Sequence, residues 1–475
     1  MTQYQKHCAL PGRLVMVGFG SIGQGVLPLI LRHIEIDRQN ITIITADERG
    51  HGEADYFGIK FVKEPLTRQN YRAMLEPLLS KGDFLLNLSV DVSSTALVEL
   101  CAERGALYLD TCIEPWPGGY TDPNLSPSMR SNYALREQAL DLRGKLGTNA
   151  PTAVLTHGAN PGLVSHFVKQ ALLNIAEDTG RDVTEVPAGR EAWAKLAHDL
   201  GVKVIHIAER DTQVSSIPKK RGEFVNTWSI DGFISEGCQP AELGWGTHEA
   251  TFPPDGIRHD FGCQAGIILN RPGVTQRVRT WTPMEGPFHG FLITHSEALS
   301  IPDYLTVRDA DGKAIYRPTC HYAYHPCDDA VKSIHEFAGK NFVQQETQRL
   351  LMKEIIDGVD ELGVLLAGHE KGAYWFGSQL TCSEARQLVE FNSATSLQVT
   401  VAALSGMIWA IENPDRGIVE ADDMDFQRCL DICMPYLGPV VGAYTDWTPL
   451  DGRNKLFVED VDTSDPWQFK NIRVV

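Results

Sequence analysis

The sequence predicts an α/β fold: a doubly wound parallel sheet followed by a second, mixed α+β domain. Three observations carry that expectation. Short apolar runs alternate with helical patterns through the first third of the chain. A glycine cluster, Gly18-Phe-Gly20-Ser-Ile-Gly23, directly follows the first apolar run. Beyond Ala159 the apolar runs lengthen and turn-rich links such as Pro253-Pro-Asp-Gly256 separate them. Strands alternating with helices imply a parallel sheet covered on both faces.

Taken in order, Leu14–Val17 reads as a short buried strand and residues 22–34 as the helix after it. Further strands are expected at 41–44, 84–88, 106–109 and 153–155, with a helix at 94–103. Asn160-Pro161-Gly162 opens the next helix, with Asn160 as N-cap and Pro161 in the first turn. Leu163, Val164, Phe167, Val168, Ala171 and Leu172 then repeat at helical spacing. Strands follow at 202–208, 224–233, 266–269 and 290–294. Residues 394–411 form an apolar helix, stopped by Asn413-Pro414, that needs a large partner surface. The last stretch is polar and turn-rich and reads as a loosely packed tail. The expected division is 1–158 for a dinucleotide domain and 159–385 for a substrate and dimerisation domain. Residues 386–475 form a C-terminal segment whose helix returns to the first domain.

Composition bounds the function. With 475 residues and 43% hydrophobic content, the chain can fill more than one core. Lys+Arg number 43 against Asp+Glu 61, a formal charge of −18. That balance disfavours nucleic acid and anionic membranes as partners and leaves room for an acidic pocket that attracts a cation. The N-terminus has no signal-peptide pattern, and the apolar stretch 399–411 is too short to span a bilayer. The ten cysteines are scattered rather than framework-spaced. A soluble cytoplasmic protein with reduced thiols is expected.

The glycine cluster has the context that a dinucleotide site requires, a strand before it and a helix after it. Gly18 permits the tight turn, Gly20 lets a pyrophosphate approach the backbone, and Gly23 lets helix and strand pack closely. Ser21 and Ile22 open the helix whose N–H groups would meet the phosphates. Asp47 ends the next strand, where a carboxylate binds ribose hydroxyls and repels a 2′-phosphate, so NAD is expected rather than NADP. This is a Rossmann-type arrangement, in which later strand ends also reach the cofactor. The candidates there are Ser89 and Asp91, Asp110 and Thr111, then Thr156, Gly158, Ala159 and Pro161 at the domain junction.

Two further stretches carry chemistry. Glu209 ends an apolar strand face shared with Ile205 and Ile207. In Asn226-Thr-Trp-Ser-Ile-Asp-Gly-Phe-Ile-Ser-Glu236, Trp228 and Ile230 share a strand face and Glu236 follows. Carboxylates beside a Trp suit an organic ammonium, through charge-assisted hydrogen bonds and a cation–π contact of roughly 0.5–2 kcal/mol. Cys320-His321 with His325 and Cys327 lacks paired CxxC spacing, and Cys429 and Cys433 sit at helical spacing, so packed loop, core and no metal are expected.

The segments LVMVGFGSIGQGVLPL, LTHGANPGLVSHFVKQAL and NTWSIDGFISEG closely resemble those of the bacterial homospermidine synthases, within the saccharopine dehydrogenase-like group. The resemblance runs over nearly the whole chain. It implies a cytoplasmic homodimer with tightly held NAD that joins two putrescines into sym-homospermidine and releases ammonia, with spermidine as another aminobutyl donor. By motif match it assigns Glu209 and Glu236 to amine binding and proton transfer. Trp228 would hold a cationic intermediate, and Asn160 would bond amine or cofactor. Asp91, Glu114, His295 and Asp360 are candidates for an outer amine site, and Asn392 for a cofactor contact. The competing expectations are a carboxyspermidine or saccharopine dehydrogenase-like reductive aminating enzyme, and a non-catalytic NAD-binding sensor. The first would need Arg or Lys partners for its carboxylates, and the second would need no Trp228/Glu236 pair.

Overall fold

The computed structural model describes residues 4–181 and 185–475. Its first sheet has seven strands, all parallel, in the spatial order Ile418–Glu420, Ala153–Leu155, Leu107–Asp110, Phe84–Asn87, Leu14–Val17, Ile41–Thr45, Lys60–Lys63. Val/Ile/Leu-rich strands such as Leu14–Val17 are buried along their whole length, as helices on both faces require. Strand order reverses at Leu14–Val17. The crevice between its C-terminal end and that of Phe84–Asn87 is therefore where such sheets bind ligands.

Helix Ser21–His33 follows the first strand and packs against the long helix Ala394–Glu412. That second helix has 19 residues and is long and apolar enough to cross a bilayer by length and composition, which corrects the expectation that the run is too short. It is a core helix here, with 89% of its apolar window buried. Asn392, just before it, does not reach the cofactor cleft. Its amide donates to the Gly25 carbonyl at 3.1 Å and its oxygen accepts from Ser396 and Thr400, so it locks the two helices together.

The second sheet has eleven strands. Its main path runs Gly256–Arg258, Gly266–Pro272, Pro240–Gly244, Thr319–His325, Val204–Asp211, Val359–His369, Gly372–Thr381, Val440–Thr445. The pairing is antiparallel except between Thr319–His325 and Val204–Asp211. The stretch around Cys320 is thus a central buried strand rather than a loop. Residues 224–233 are not one strand either. Strand Glu223–Asn226 ends, and Ser229 caps helix Ile230–Cys238 by accepting the Gly232 N–H at 3.1 Å. A serine cap with Asp231 in the first turn outweighed the apolar alternation. Strand Gly286–Phe291 stops short of 294.

The tail is tied down rather than loose. Arg473–Val474 adds to strand Arg277–Thr282, Phe469 and Ile472 are buried, and Glu249 accepts the Phe469 N–H at 2.9 Å. All ten cysteines are unpaired. Cys429 lies with His157 and His166 in the core, where the two imidazoles share a 2.9 Å hydrogen bond.

Candidate active site

A cleft of about 610 Å³ lies above the C-terminal ends of Leu14–Val17, Ile41–Thr45 and Phe84–Asn87. Gly18, Gly20, Ser21, Ile22, Asp47, Ser89 and Asp91 line it, and Ser229, Ile230, Asp231 and Gln348 of the second domain form the facing wall. Gly18 has φ +86°, and a Cβ there would sit 2.6 Å from the Leu88 carbonyl oxygen. A Cβ on Gly20 would meet nothing within 4 Å, so its backbone faces open space. Gly23 lies against the Phe19 ring, 2.9 Å from where a Cβ would be. The cap at Gly20 carries no side-chain bond, which leaves the first N–H groups of helix Ser21–His33 free for an anion. Asp47 accepts from the Arg49 backbone N–H at 2.8 Å and from its Nε at 2.7 Å, and these bonds hold its carboxyl below the usual range. These features fit a dinucleotide, with phosphates over Gly20 and Ser21 and the ribose near Asp47. We predict that Gly18→Ala destabilises the fold, by roughly 1–2 kcal/mol for the left-handed backbone alone. Gly20→Ala should fold with unchanged melting temperature and lose dinucleotide affinity. Calorimetric melts and NADH titrations would separate the two.

Asp110, Thr111, Thr156, Gly158, Ala159 and Pro161 do not line this cleft. Asp110 is fully buried, accepts the Thr156 N–H at 2.6 Å and the Tyr108 hydroxyl at 2.8 Å, and is pushed up to about 6 by burial. It holds Thr156 at φ +52°. The turn then closes on itself, with the Gly158 N–H donating to the Pro161 carbonyl and the Leu163 N–H to that of Gly158. Thr111 packs beside Gly158, and Ala159 accepts from Val164. The cap of helix Leu163–Asp178 is Gly162, so Asn160 is not the N-cap. The turn instead presents Asn160, whose Nδ2 donates to Glu209 Oε2 at 2.8 Å.

Around Glu209 the structure gathers most of the other predicted residues. Glu209 is buried near the end of Val204–Asp211 and also accepts from the Tyr322 hydroxyl at 2.5 Å. Burial, reinforced by the Asp211 charge, raises it to about 7. The Tyr322 ring stacks on Tyr324 at 5.2 Å, and the Tyr324 hydroxyl accepts from Trp228 Nε1 at 3.1 Å. Trp228 stands in the turn before helix Ile230–Cys238, and Glu236 lies on that helix. The His295 ring packs on Tyr322, at 4.2 Å between ring centres. Its nitrogens face Glu297 at 3.1 Å and Glu236 at 3.2 Å. Burial opposes charge on His295, but the two carboxylates override it and hold an imidazolium, at about 10.

The acidic candidates sort into two groups, and the grouping differs from the one expected. Asp91 and Glu114 belong with Glu236. Glu114 accepts the Asp91 N–H at 3.4 Å, and burial together with the Glu236 charge pushes it up to about 8. Asp360 lies instead with Glu209 and Asp211, opposite Asp211 in the strand register. Sequence reasoning missed Tyr322, Tyr324, Asp211 and Glu297. The two tyrosines were legible as one face of an alternating strand, Cys320/Tyr322/Tyr324, and Asp211 as two residues beyond Glu209.

A homospermidine synthase of Blastochloris viridis is 57% identical over 478 aligned residues, 100% of both chains. That of Mesorhizobium japonicum is 54% identical over 471, covering 98% of this chain and 97% of the relative. The chain belongs to the homospermidine synthase family. The solved structure of a Legionella pneumophila homospermidine synthase in complex with NAD superposes on this family member with TM-score 0.92, at 50% identity over 98% of each chain. Within the family the two halves follow the wider saccharopine dehydrogenase architecture. Residues 14–154 match the saccharopine dehydrogenase NADP binding domain and 158–445 the saccharopine dehydrogenase C-terminal domain.

Proposed function

We propose that this homospermidine synthase joins two putrescines, or takes an aminobutyl group from spermidine, and releases ammonia, with NAD in the Gly18–Gly23 cleft. One observation carries the reading. Among the described residues, Glu209, Glu236, Glu114, Asp211 and Asp360 are buried or nearly so, no Arg or Lys side chain bonds to any of their carboxylates, and of the five only Glu236 bonds a cationic group, the His295 imidazolium it shares with Glu297. Buried carboxylates that outnumber their cationic partners are costly, and a dicationic diamine supplies the missing charge. A carboxylated substrate would need the opposite, which weighs against a saccharopine-type reaction. The stacked Tyr322 and Tyr324 rings, with Trp228 bonded to the Tyr324 hydroxyl, weigh against a non-catalytic sensor.

When bound, NAD⁺ accepts a hydride and returns it. The chain's own residues hold and deprotonate the amines. An amine must be neutral before its carbon gives up hydride, and Glu209, at about 7, can take that proton near neutral pH. Asn160 and Tyr322 orient Glu209, and the Trp228 indole, fixed by its bond to Tyr324, is assigned to the substrate iminium. Attack by the second diamine forms the new C–N bond as the old one breaks and ammonia leaves. Glu236 and the His295 imidazolium are positioned to move the accompanying proton. Asp47 favours NAD over its 2′-phosphate form. The parts are assigned as 1–158 for NAD, 159–385 for substrate and dimer contacts, and 386–475 for a C-terminal segment whose helix returns to the NAD domain. The enzyme acts as a cytoplasmic homodimer on polyamines, without nucleic acid, membrane or metal. Incubation with putrescine and NAD⁺ should give homospermidine and ammonia without net NADH; stoichiometric NADH, or no turnover, contradicts the proposal.

A pH signature follows. Carboxyls raised in the folded state stabilise it below the ordinary carboxylate range, and lose that contribution as pH climbs past their raised values. Glu209 and Glu114, at about 7 and about 8, therefore weaken the ligand-free fold as pH rises toward 8. Bound putrescine should raise the melting temperature by several degrees more at pH 8 than at pH 6, read by scanning calorimetry. An equal gain at both would contradict the assignment.

A further inference from the structure

We propose that Asp211 is a positioning residue for proton transfer: its charge, held on the same strand face as Glu209, sets the pH at which Glu209 can take a proton from the amine. The inference rests on the proposed role of Glu209. Residues two apart on a strand share a face, and Asp211 follows Glu209 at that spacing in Val204–Asp211. Asp211 is fully buried and stands opposite Asp360 in the neighbouring strand. Its oxygens accept from the Thr227 hydroxyl at 2.7 Å, the Gln213 N–H at 2.8 Å and Gln213 Nε2 at 3.1 Å. These donors are all neutral. Burial raises Asp211, and these bonds oppose that rise without cancelling the carboxylate's charge, so its field reaches Glu209 through a low-dielectric interior. Gln213 Nε2 also meets Thr395, which donates to Asp360, so one neutral network holds both acids beside Glu209.

The other groups facing Glu209 come from each neighbouring element. They are Tyr322 and Tyr324 from Thr319–His325, Asp360 from Val359–His369, Asn160 from the junction turn, and His295. The Arg210 guanidinium bonds the Asp211 and Pro326 carbonyls and pairs with Glu285 and Asp328, and its charge lowers Asp211 and Asp360 against the burial that raises them. Burial alone raises Glu209, the Asp211 charge adds to it, and His295 opposes it. Thr227 adjoins Trp228, so the same carboxylate also fixes the turn that carries the indole.

The test is the pH profile of kcat/KM for putrescine in Asp211→Asn, which keeps shape and an acceptor oxygen but removes charge. The acid limb should move to lower pH by about one unit, and Asp211→Glu, which restores charge, should move it back. An activity loss of equal size at every pH, with the limb unmoved, overturns the inference and leaves Asp211 a structural pin. Difference infrared spectroscopy of the unmodified enzyme gives a readout that needs no Asp211 variant. The carboxyl band identified by its loss in Glu209→Gln should titrate in two coupled steps, and a single step counts against coupling. A Glu209→Gln enzyme with full turnover would instead remove the role of Glu209. An inactive Glu209→Gln with an unmoved Asp211→Asn limb defeats the present inference alone.

Discussion

Trp228→Ala should lower homospermidine formation roughly 10- to 100-fold while NAD remains bound. The indole is fixed by its Nε1 bond to Tyr324 and by its contact with Phe233, at 5.3 Å between rings. A desolvated cation–π contact contributes about 2 kcal/mol or more, which alone is a factor of about 30 in rate if it is made mainly by the cationic intermediate. The variant also leaves the Tyr324 hydroxyl without its donor. Trp228→Phe keeps a ring face but not the hydrogen bond and should fall between the two. NAD stoichiometry should be unchanged in both. Full turnover in Trp228→Ala would remove the indole from the mechanism.

Glu236→Gln should be the more damaging change, slowing turnover by about 10²- to 10³-fold. Glu236 shares the His295 imidazolium with Glu297 and sits beside Asp91 and Glu114. The amide cannot accept a proton or balance a bound ammonium. His295 would keep one carboxylate of two, so its pKa would fall from about 10 and its own charge would become titratable nearer neutrality. The expected pattern is a fall in kcat with a new pH dependence from His295, followed by steady-state kinetics and imidazole NMR. A variant with altered melting temperature and normal kinetics would make Glu236 structural.

The first domain was readable because its signals are local. A strand, a glycine turn and a helix occur in sequence, and burial on both faces leaves continuous Val/Ile/Leu runs such as Leu14–Val17. The proposed amine site was readable only in pieces. Glu209 and Trp228 stand out as polar or aromatic residues in apolar surroundings, but nothing local places them within one hydrogen-bonded cluster. That step depends on strand register, with Tyr322 paired to Ile207 and Tyr324 to Glu209 across a parallel pair of long sequence separation. Local reading also failed where two patterns compete. Residues 228–231 alternate as a strand would, yet the Ser229 cap starts a helix. Asn160-Pro161 looks like a helix start, yet the turn closes through Gly158 and Pro161 and gives Asn160 to Glu209. Asn392 was misplaced because a buried amide serving two helices has the same sequence signature as one serving a ligand. The tail's attachment rests on Trp467, Phe469 and Ile472, too few apolar residues to register against a polar background.

In the proposed reaction a diamine held by these carboxylates gives up a hydride and regains the same one without cofactor exchange. Putrescine deuterated at both amine-bearing carbons tests this most directly, in the presence of excess unlabelled NADH. Homospermidine that keeps every deuterium, read by mass spectrometry, is the predicted result. Product that has lost one deuterium to hydrogen, with label appearing in free NADH, would contradict it.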